Sequence, residues 1–318
     1  MRWDRACSKI LHMQNNTARG ILYLCLGVLV FSLQDAIIKR VSTVYPLTEV
    51  VCIRSLVGMP ILLMLVQYQV GWRAIIGSHL GSLVLRALIL FVSYIAYYMS
   101  FPALPLADAV ALYFTVPLFV TALAGPVLGE RVGWKVWAAV MVGFAGVAIM
   151  LQPGQGLFEP AALLSLLSAA MYAGSMLMGR KLGSTQVASV MSFYQNWVFL
   201  VGAGLTALVL KQLDIVDAAH PSLSFLVRPW VWPTFMDGLL MVLCGVVAAA
   251  GMVFLTSAYR VARASAVTPF EYTGILWAPL WGFLFFSEMP RATTVAGAIV
   301  IVGAGLAALR SGEPDRET

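Results

Sequence analysis

Ten apolar stretches run along this 318-residue chain, and short polar or glycine- and proline-containing segments separate them. Each is close to the roughly 20 residues that an α-helix needs to cross the hydrocarbon core of a bilayer. The stretches lack the strict alternation of barrel strands, and helices satisfy their own backbone hydrogen bonds in lipid. The pattern predicts an all-α membrane protein with ten transmembrane helices, at residues 20–38, 46–66, 79–101, 105–128, 133–151, 158–179, 188–210, 235–258, 264–286 and 293–309.

The composition supports a membrane location. Hydrophobic residues make up 61% of the chain and charged residues 11%, and the mean hydropathy is +0.89. A water-soluble domain carries about 25% charged residues. A soluble protein with this composition would expose large apolar patches, whereas lipid matches such a surface.

The net charge of +6 is distributed unevenly along the chain. With the N-terminus in the cytoplasm, 13 Lys and Arg residues fall on the cytoplasmic side and 5 on the outer side, while Arg54 and Arg86 lie inside spans. This is the positive-inside distribution, so we predict a multi-pass protein of a bacterial inner (plasma) membrane with both termini cytoplasmic. The basic excess therefore indicates topology and not a nucleic-acid partner.

The two halves of the chain repeat a short pattern. Ala107–Val110 opens the fourth stretch and Ala264–Val267 opens the ninth, and Glu130 and Glu288 follow where these stretches end. Since each copy has five spans, an odd number, the second copy must enter the membrane from the opposite face. Inverted repeats are common in secondary transporters, whose substrate site lies between the copies, although a repeat can also serve only to build a stable bundle. We predict four regions around a central cavity: an N-terminal tail (1–19), a first repeat (20–153), a second repeat (158–309) and a C-terminal tail (310–318).

Several short motifs follow one another in the first half, and part of this order recurs in the second half. They are Phe31-Ser32 ahead of Lys39, Arg54, Leu104–Ala109, Pro117–Phe119, Gly129–Gly133 and Gln152–Gly154. In this order they resemble the EamA type of the drug/metabolite transporter superfamily. The resemblance implies a ten-helix bundle around a central cavity and alternating access without ATP. It also implies substrates that range from amino acids and amino-acid-derived metal chelators to nucleotide-like molecules and vitamins.

Charged residues inside the spans are the first candidates for function. A charge at the centre of a transmembrane helix costs about 2.5–3.5 kcal/mol on insertion scales, so each needs a partner or a wet cavity. We expect Arg54 to meet Asp35 or Asp108, and Arg86 to meet Glu271. In one interpretation these pairs only fix the fold. In the other, the same residues line the cavity and bind a zwitterionic or charged substrate.

Aromatic and amide side chains provide further candidates. Tyr94, Tyr97, Tyr98 and Phe101 share one face of the third span. Tyrosine hydroxyls that faced lipid tails would lack partners, so we predict that Tyr94 and Tyr97 line the cavity. The alternative is an interfacial aromatic belt, which fits Phe101 and Tyr98. Asn196 in the seventh span is predicted either to contact the substrate or to form an interhelical hydrogen bond.

Pro117 and Pro279 lie inside the fourth and ninth spans. Each removes a backbone hydrogen bond and can bend its helix. We interpret them as gating positions, although ordinary helix packing explains them as well.

Other chemistry finds no support in the sequence. No Gly-Lys-Ser/Thr loop for ATP occurs, His12, His79 and His220 are isolated, and no acid, base and metal ligands cluster at one depth. We therefore predict no cofactor, no metal site and no enzymatic activity.

The predicted function is that of a secondary transporter of a small organic metabolite, with export of an amino acid or an amino-acid-derived metabolite preferred. The alternative is import of a vitamin or nucleoside-like solute, of the riboflavin or S-adenosylmethionine type. A non-transporting scaffold or an intramembrane enzyme is the alternative of another class. The expected partners are the substrate and lipid. The small-residue patterns Ala139xxxGly143 and Gly303xxxAla307 either seal the bundle or form a homodimer.

Overall fold

The computed structural model describes residues 2–76, 80–128, 133–151, 159–182, 187–215, 217–261 and 268–311. Within these ranges the secondary structure is helical, and no strand occurs. The α-helices are α1 (Arg2–Val41), α2 (Leu47–Gln69), α3 (Leu80–Met99), α4 (Leu106–Tyr113), α5 (Val116–Leu128), α6 (Trp134–Leu151), α7 (Ala161–Leu182), α8 (Ala188–Gln212), α9 (Pro221–Val227), α10 (Phe235–Val261), α11 (Gly274–Phe286) and α12 (Ala292–Ser311). Trp72–Ile75 and Thr268–Thr273 form 3-10 helices.

Six segments among the described residues are long and apolar enough to cross a membrane: Ala18–Val41, Leu47–Gln69, Leu80–Met99, Ala161–Gly179, Ser189–Gln212 and Phe235–Leu255. Shorter apolar helices occur at Leu106–Val120, Trp137–Leu151 and Ala292–Ala307. Large apolar side chains such as Met64, Leu276 and Ile299 are exposed on the outside of the bundle, as lipid-facing residues are. The chain therefore has the fold of an all-α, multi-pass membrane protein.

The first helix is longer than the sequence analysis predicts. The predicted span covers residues 20–38, whereas the helix that contains it begins at Arg2 and ends at Val41. No glycine or proline occurs before Gly20, so nothing in the local sequence ends the helix there.

The fourth predicted span is divided into two helices. α4 ends at Tyr113 and α5 begins at Val116, immediately before Pro117. Pro117 has no N–H to donate to the carbonyl of Tyr113, and proline is well tolerated in the first turn of a new helix. In contrast, Pro279 lies inside the continuous helix α11, so the two prolines have different local structures.

The helices pack in pairs around a central space. α1 packs against α10, α3 against α7, α2 against α8, and α6 against α12. The last pair approaches closely, since a Cβ atom at Gly146 would lie 2.9 Å from the carbonyl oxygen of Gly297. Among the described residues, α6 and α12 contribute nothing to the wall of the central cavity. These two helices pack against each other outside the cavity wall.

Candidate functional site

A cavity of about 390 Å³ lies in the centre of the bundle. Its wall comes from α1, α2, α3, α4, the start of α5, α7, α8, α10, α11 and the 3-10 helix at Thr268–Thr273. Eight of the ten predicted site residues line it: Asp35, Arg54, Arg86, Tyr94, Tyr97, Pro117, Asn196 and Glu271. Asp108 and Pro279 are not among the residues that line it.

Asp35 is held by two tyrosines of α3. The hydroxyl of Tyr98 donates to Oδ1 of Asp35 at 2.7 Å, and that of Tyr97 donates to Oδ2 at 3.1 Å. Gln34 donates from Nε2 to the hydroxyl of Tyr98 at 3.0 Å. The period of α3 places both tyrosines on the face toward α1, so two hydroxyl groups hold the carboxylate in place.

Arg54 is buried against aromatic rings. Its guanidinium carbon lies 4.6 Å from the ring centroid of Tyr94 and 5.5 Å from that of Phe199, and its side chain is only 6% exposed. No described carboxylate forms an ion pair with it, so the predicted pairing of Arg54 with Asp35 or Asp108 is wrong. Because Tyr97 and Tyr98 already occupy Asp35, the arginine gains its attraction from ring faces instead.

Arg86 and Glu271 both line the cavity, but no ion pair joins these two described residues, which corrects that prediction. The guanidinium of Arg86 extends toward α7, where a Cβ atom at Gly179 would lie 3.2 Å from its Nε. The absence of a side chain at Gly179 therefore makes room for the arginine.

Asp108 belongs to a polar cluster at one end of the bundle. Its Oδ1 accepts a hydrogen bond from the Thr294 hydroxyl at 2.6 Å. In the same region Lys39 donates to Oε1 of Glu288 at 2.5 Å and to the carbonyl of Leu104 at 2.8 Å. The other oxygen of Glu288 accepts from the backbone N–H of Leu106 at 2.9 Å. We call Lys39, Leu104, Leu106 and Glu288 the end clasp, since they tie α1 and the α3–α4 connection to the α11–α12 connection.

The aromatic residues in the last turns of α3 and just beyond its end point inward. Tyr98 is 3% exposed and Phe101 is fully buried, so the belt interpretation is wrong for both residues. The ring of Tyr97 also contacts that of Tyr113, with centroids 4.7 Å apart. The cavity thus has an aromatic wall that continues from α3 onto α4.

Asn196 has a structural contact as well as a place in the wall. Its Nδ2 donates to the backbone carbonyl of Ser55 at 2.9 Å, which links α8 to α2. Both predicted roles therefore remain open for this residue, because its side chain also reaches the cavity.

Several buried polar atoms of the wall lack a hydrogen-bond partner among the described residues. They are Gln34 Oε1, Arg54 Nε, Arg86 Nε, Tyr94 Oη and Ser175 Oγ. Leaving a buried polar atom unsatisfied costs about 1–3 kcal/mol, and more for a charged group. Five unsatisfied polar groups in the wall of one cavity set this region apart from an ordinary helix interface, where buried polar groups are paired.

The sequence analysis missed several neutral residues of the wall. Gln34, Tyr113, Tyr172 and Phe199 all line the cavity. The available signals were the position of Gln34 next to Asp35 and that of Phe199 one turn from Asn196, while Tyr113 and Tyr172 had no comparable signal. The same reasoning did not identify Lys39 and Glu288 as partners, since they are far apart in the sequence.

Comparisons with known proteins agree with this architecture. Residues 18–152 match the EamA-like transporter family. The pseudopaline exporter CntI of Pseudomonas aeruginosa (strain UCBPP-PA14) is 32% identical over 293 residues, which cover 92% of this chain and 96% of the relative. The S-adenosylmethionine uptake transporter of Rickettsia prowazekii (strain Madrid E) is 28% identical over 287 residues, covering 90% and 91%. The riboflavin transporter of Rhizobium johnstonii is 32% identical over 233 residues, covering 73% and 70%.

The fold itself has a solved counterpart. One crystal structure superposes with a TM-score of 0.61 over 92% of this chain and 96% of that chain, at 18% identity. The relatives are transporters, so the protein is a small-molecule transporter and not an enzyme. Cavity, helical bundle and relatives together confirm the resemblance seen in the motifs: the chain belongs to the EamA-like transporter family of the drug/metabolite transporter superfamily.

Proposed function

We propose that this protein is a secondary transporter that exports an amino acid or an amino-acid-derived metabolite by alternating access. The observation that carries the proposal is the central cavity with its unpartnered polar atoms inside an apolar bundle. Its volume of about 390 Å³ lies at the lower end of the range for small-molecule pockets, roughly 300–1,000 Å³. A purely structural bundle would gain nothing from leaving these groups unsatisfied.

The helix pairing supports the two inverted repeats proposed for residues 20–153 and 158–309. If the first span corresponds to the sixth and the third to the eighth, the pair α1–α10 corresponds to the pair α7–α3, and both pairs are present. In the same way α2–α10 corresponds to α8–α3, while α2–α8 and α6–α12 correspond to themselves. This pattern is expected for a pseudo-two-fold axis in the membrane plane, and two near-equivalent halves favour two states of similar energy.

The end clasp supports a state that is closed at one end. It joins Lys39, Leu104 and Leu106 of the first half to Glu288 of the second half. Alternating access requires these contacts to form in one state and break in the other. With both termini cytoplasmic, as the distribution of Lys and Arg predicts, the clasp lies at the outer end and the structure is closed toward the outside.

Export is the preferred direction because a relative covering nearly the whole chain is named as a pseudopaline exporter. Import of a vitamin or nucleoside-like solute is the second candidate, and relatives named as S-adenosylmethionine and riboflavin transporters favour it. Deletion of the gene separates the two. An exporter mutant accumulates the substrate inside the cell, whereas an importer mutant becomes dependent on the pathway that makes it.

Metabolite profiling of the deletion strain, complemented with variants, tests the proposal at the site. Arg54→Gln should fail to restore the wild-type intracellular level of the affected metabolite. Tyr194→Phe is the matched control, since the Tyr194 hydroxyl donates to the Ile75 carbonyl and the residue is not part of the cavity wall. Equal effects of the two variants at equal membrane abundance, or no metabolite change in the deletion strain, would contradict the proposal.

A further inference from the structure

The unused hydrogen-bonding capacity of the cavity is mainly donor capacity. The Nε atoms of Arg54 and Arg86 can only donate, and neither has a partner among the described residues. The hydroxyls of Tyr94 and Ser175 add two groups that can donate. On the acceptor side, both oxygens of Asp35 already accept tyrosine hydroxyls, Gln34 Oε1 is the one unpartnered acceptor among the described atoms of the wall, and Glu271 also lines the cavity.

The two arginines lie at different depths. Arg86 and Tyr94 are eight residues apart on α3, which is about 12 Å along the helix axis. Arg54 lies over the ring of Tyr94, whereas Arg86 points toward Gly179 of α7. The wall therefore presents the two guanidinium groups at different depths.

Part of the wall between the arginines is apolar and aromatic, beside polar lining residues such as Ser93 and Ser192. Leu90, Phe199 and Met176 line the cavity, and the Phe199 ring lies 5.0 Å from that of Tyr94. A fully hydrated ion would find few partners along this stretch. A hydrocarbon or aromatic segment would replace water there at a gain in free energy.

We infer that the cavity binds an elongated organic anion with a carboxylate near each end and an apolar or aromatic middle. One carboxylate meets Arg54 and Tyr94, and the other meets Arg86 and Ser175. Arginine suits this task because its planar fork binds carboxylates with two parallel hydrogen bonds. The inference rests on the proposed function only in taking the cavity as the substrate site.

The test measures equilibrium binding to the full-length protein in lipid nanodiscs by isothermal titration calorimetry. Three diacids provide a length series: N-succinyl-, N-glutaryl- and N-adipoyl-phenylalanine. N-acetyl-phenylalanine lacks one carboxylate and N-acetyl-phenylalanine amide lacks both. At least one diacid should bind more tightly than the monoacid by about tenfold to a hundredfold, as expected for one charge-assisted contact. The neutral amide should bind still more weakly.

The variants assign each carboxylate to its arginine. Arg54→Gln and Arg86→Gln should each weaken diacid binding by about tenfold or more. One of them should leave monoacid binding nearly unchanged, since that arginine faces the missing carboxylate. Arg73→Gln is the matched control, because Arg73 is exposed on the 3-10 helix Trp72–Ile75 and is not part of the wall. Circular dichroism and size-exclusion chromatography confirm that each variant is folded.

Equal affinity for the neutral amide and the diacids would overturn the inference, as would the lack of saturable binding of all three diacids to folded wild-type protein. An unchanged diacid affinity in both arginine variants would also overturn it. These outcomes are separate from the failure of the proposed function. A deletion strain that accumulates a cationic or neutral metabolite would refute the diacid site and leave the transport function intact. Diacid binding without any flux would support the diacid site and refute the transport function.

Discussion

Breaking the end clasp at Lys39 should shift the transporter toward the state that is open at that end. The side chains of Lys39 and Glu288 are 9% and 27% exposed, so their ion pair is neither fully buried nor freely solvated. Removing one partner of a fully buried pair costs about 3–5 kcal/mol, and an exposed pair contributes about 0–1 kcal/mol. We expect Lys39→Met to destabilise the closed state relative to the open state by about 2 kcal/mol. This is roughly a 30-fold change in the ratio of open to closed states.

The assay measures the labelling rate of a cysteine in the cavity by a membrane-impermeant thiol reagent applied from the outside. Ser175→Cys provides the reporter, because Ser175 lines the cavity and its hydroxyl has no partner among the described residues. The native cysteines Cys7, Cys25, Cys52 and Cys244 are first replaced by alanine. Lys39→Met should then raise the labelling rate. The factor of this increase is at most the change in the open-to-closed ratio.

Two controls make the result specific. His220→Gln breaks the contact between His220 and Glu159, and these two side chains are 35% and 39% exposed. This variant should change the labelling rate far less than Lys39→Met does. Replacing both clasp partners, Lys39→Met with Glu288→Leu, removes both charges and should bring the rate back toward the wild-type value. A folded Lys39→Met protein whose labelling rate equals that of the wild type would refute the reasoning.

Three further outcomes follow from the packing and the wall. Gly146→Ala should lower the thermal unfolding midpoint, since its Cβ would meet a backbone oxygen of α12 at 2.9 Å and overpacking costs about 1–3 kcal/mol. Gly303→Ala is the control and should leave the midpoint unchanged, because no atom lies within 4 Å of the added Cβ. A lower midpoint for Gly303→Ala alone would contradict this packing. Tyr98→Phe removes the 2.7 Å hydrogen bond to Asp35, worth about 1.5–3 kcal/mol for a charged acceptor, and should slow flux in proteoliposomes; wild-type flux would argue against a role for this contact. Asn196→Ala should change stability by about 1 kcal/mol or less yet reduce flux, and a large loss of stability with normal flux would assign the residue a structural role only.

Much of the fold could be predicted from the sequence, because burial in lipid depends on long apolar stretches that are visible residue by residue. Helix ends were less certain. The continuation of α1 back to Arg2 depends on the absence of a helix-breaking residue, and the apolar pattern does not register that. The break between Tyr113 and Val116 depends on Pro117 together with the packing of the segment against its neighbours.

The sequence predicted which residues line the candidate site more successfully than it predicted which residues they contact. Helical spacing placed Tyr94 and Tyr97 on one face, and the structure brings that face to the cavity. The expected ion pairs of Arg54 and Arg86 did not form, since charge alone does not say how far each helix is rotated about its axis. Arg54 therefore meets aromatic rings that sequence reasoning had treated separately.

The sequence by itself determined the solvent of this protein, its helical class and its family, because hydropathy and local motifs are properties of consecutive residues. Only the tertiary structure decided which polar groups meet. Lys39 and Glu288 are 249 positions apart, and Asp35 and Tyr98 are 63 positions apart. Contacts of this kind depend on the relative rotation and depth of whole helices, and the packing of the complete bundle sets both.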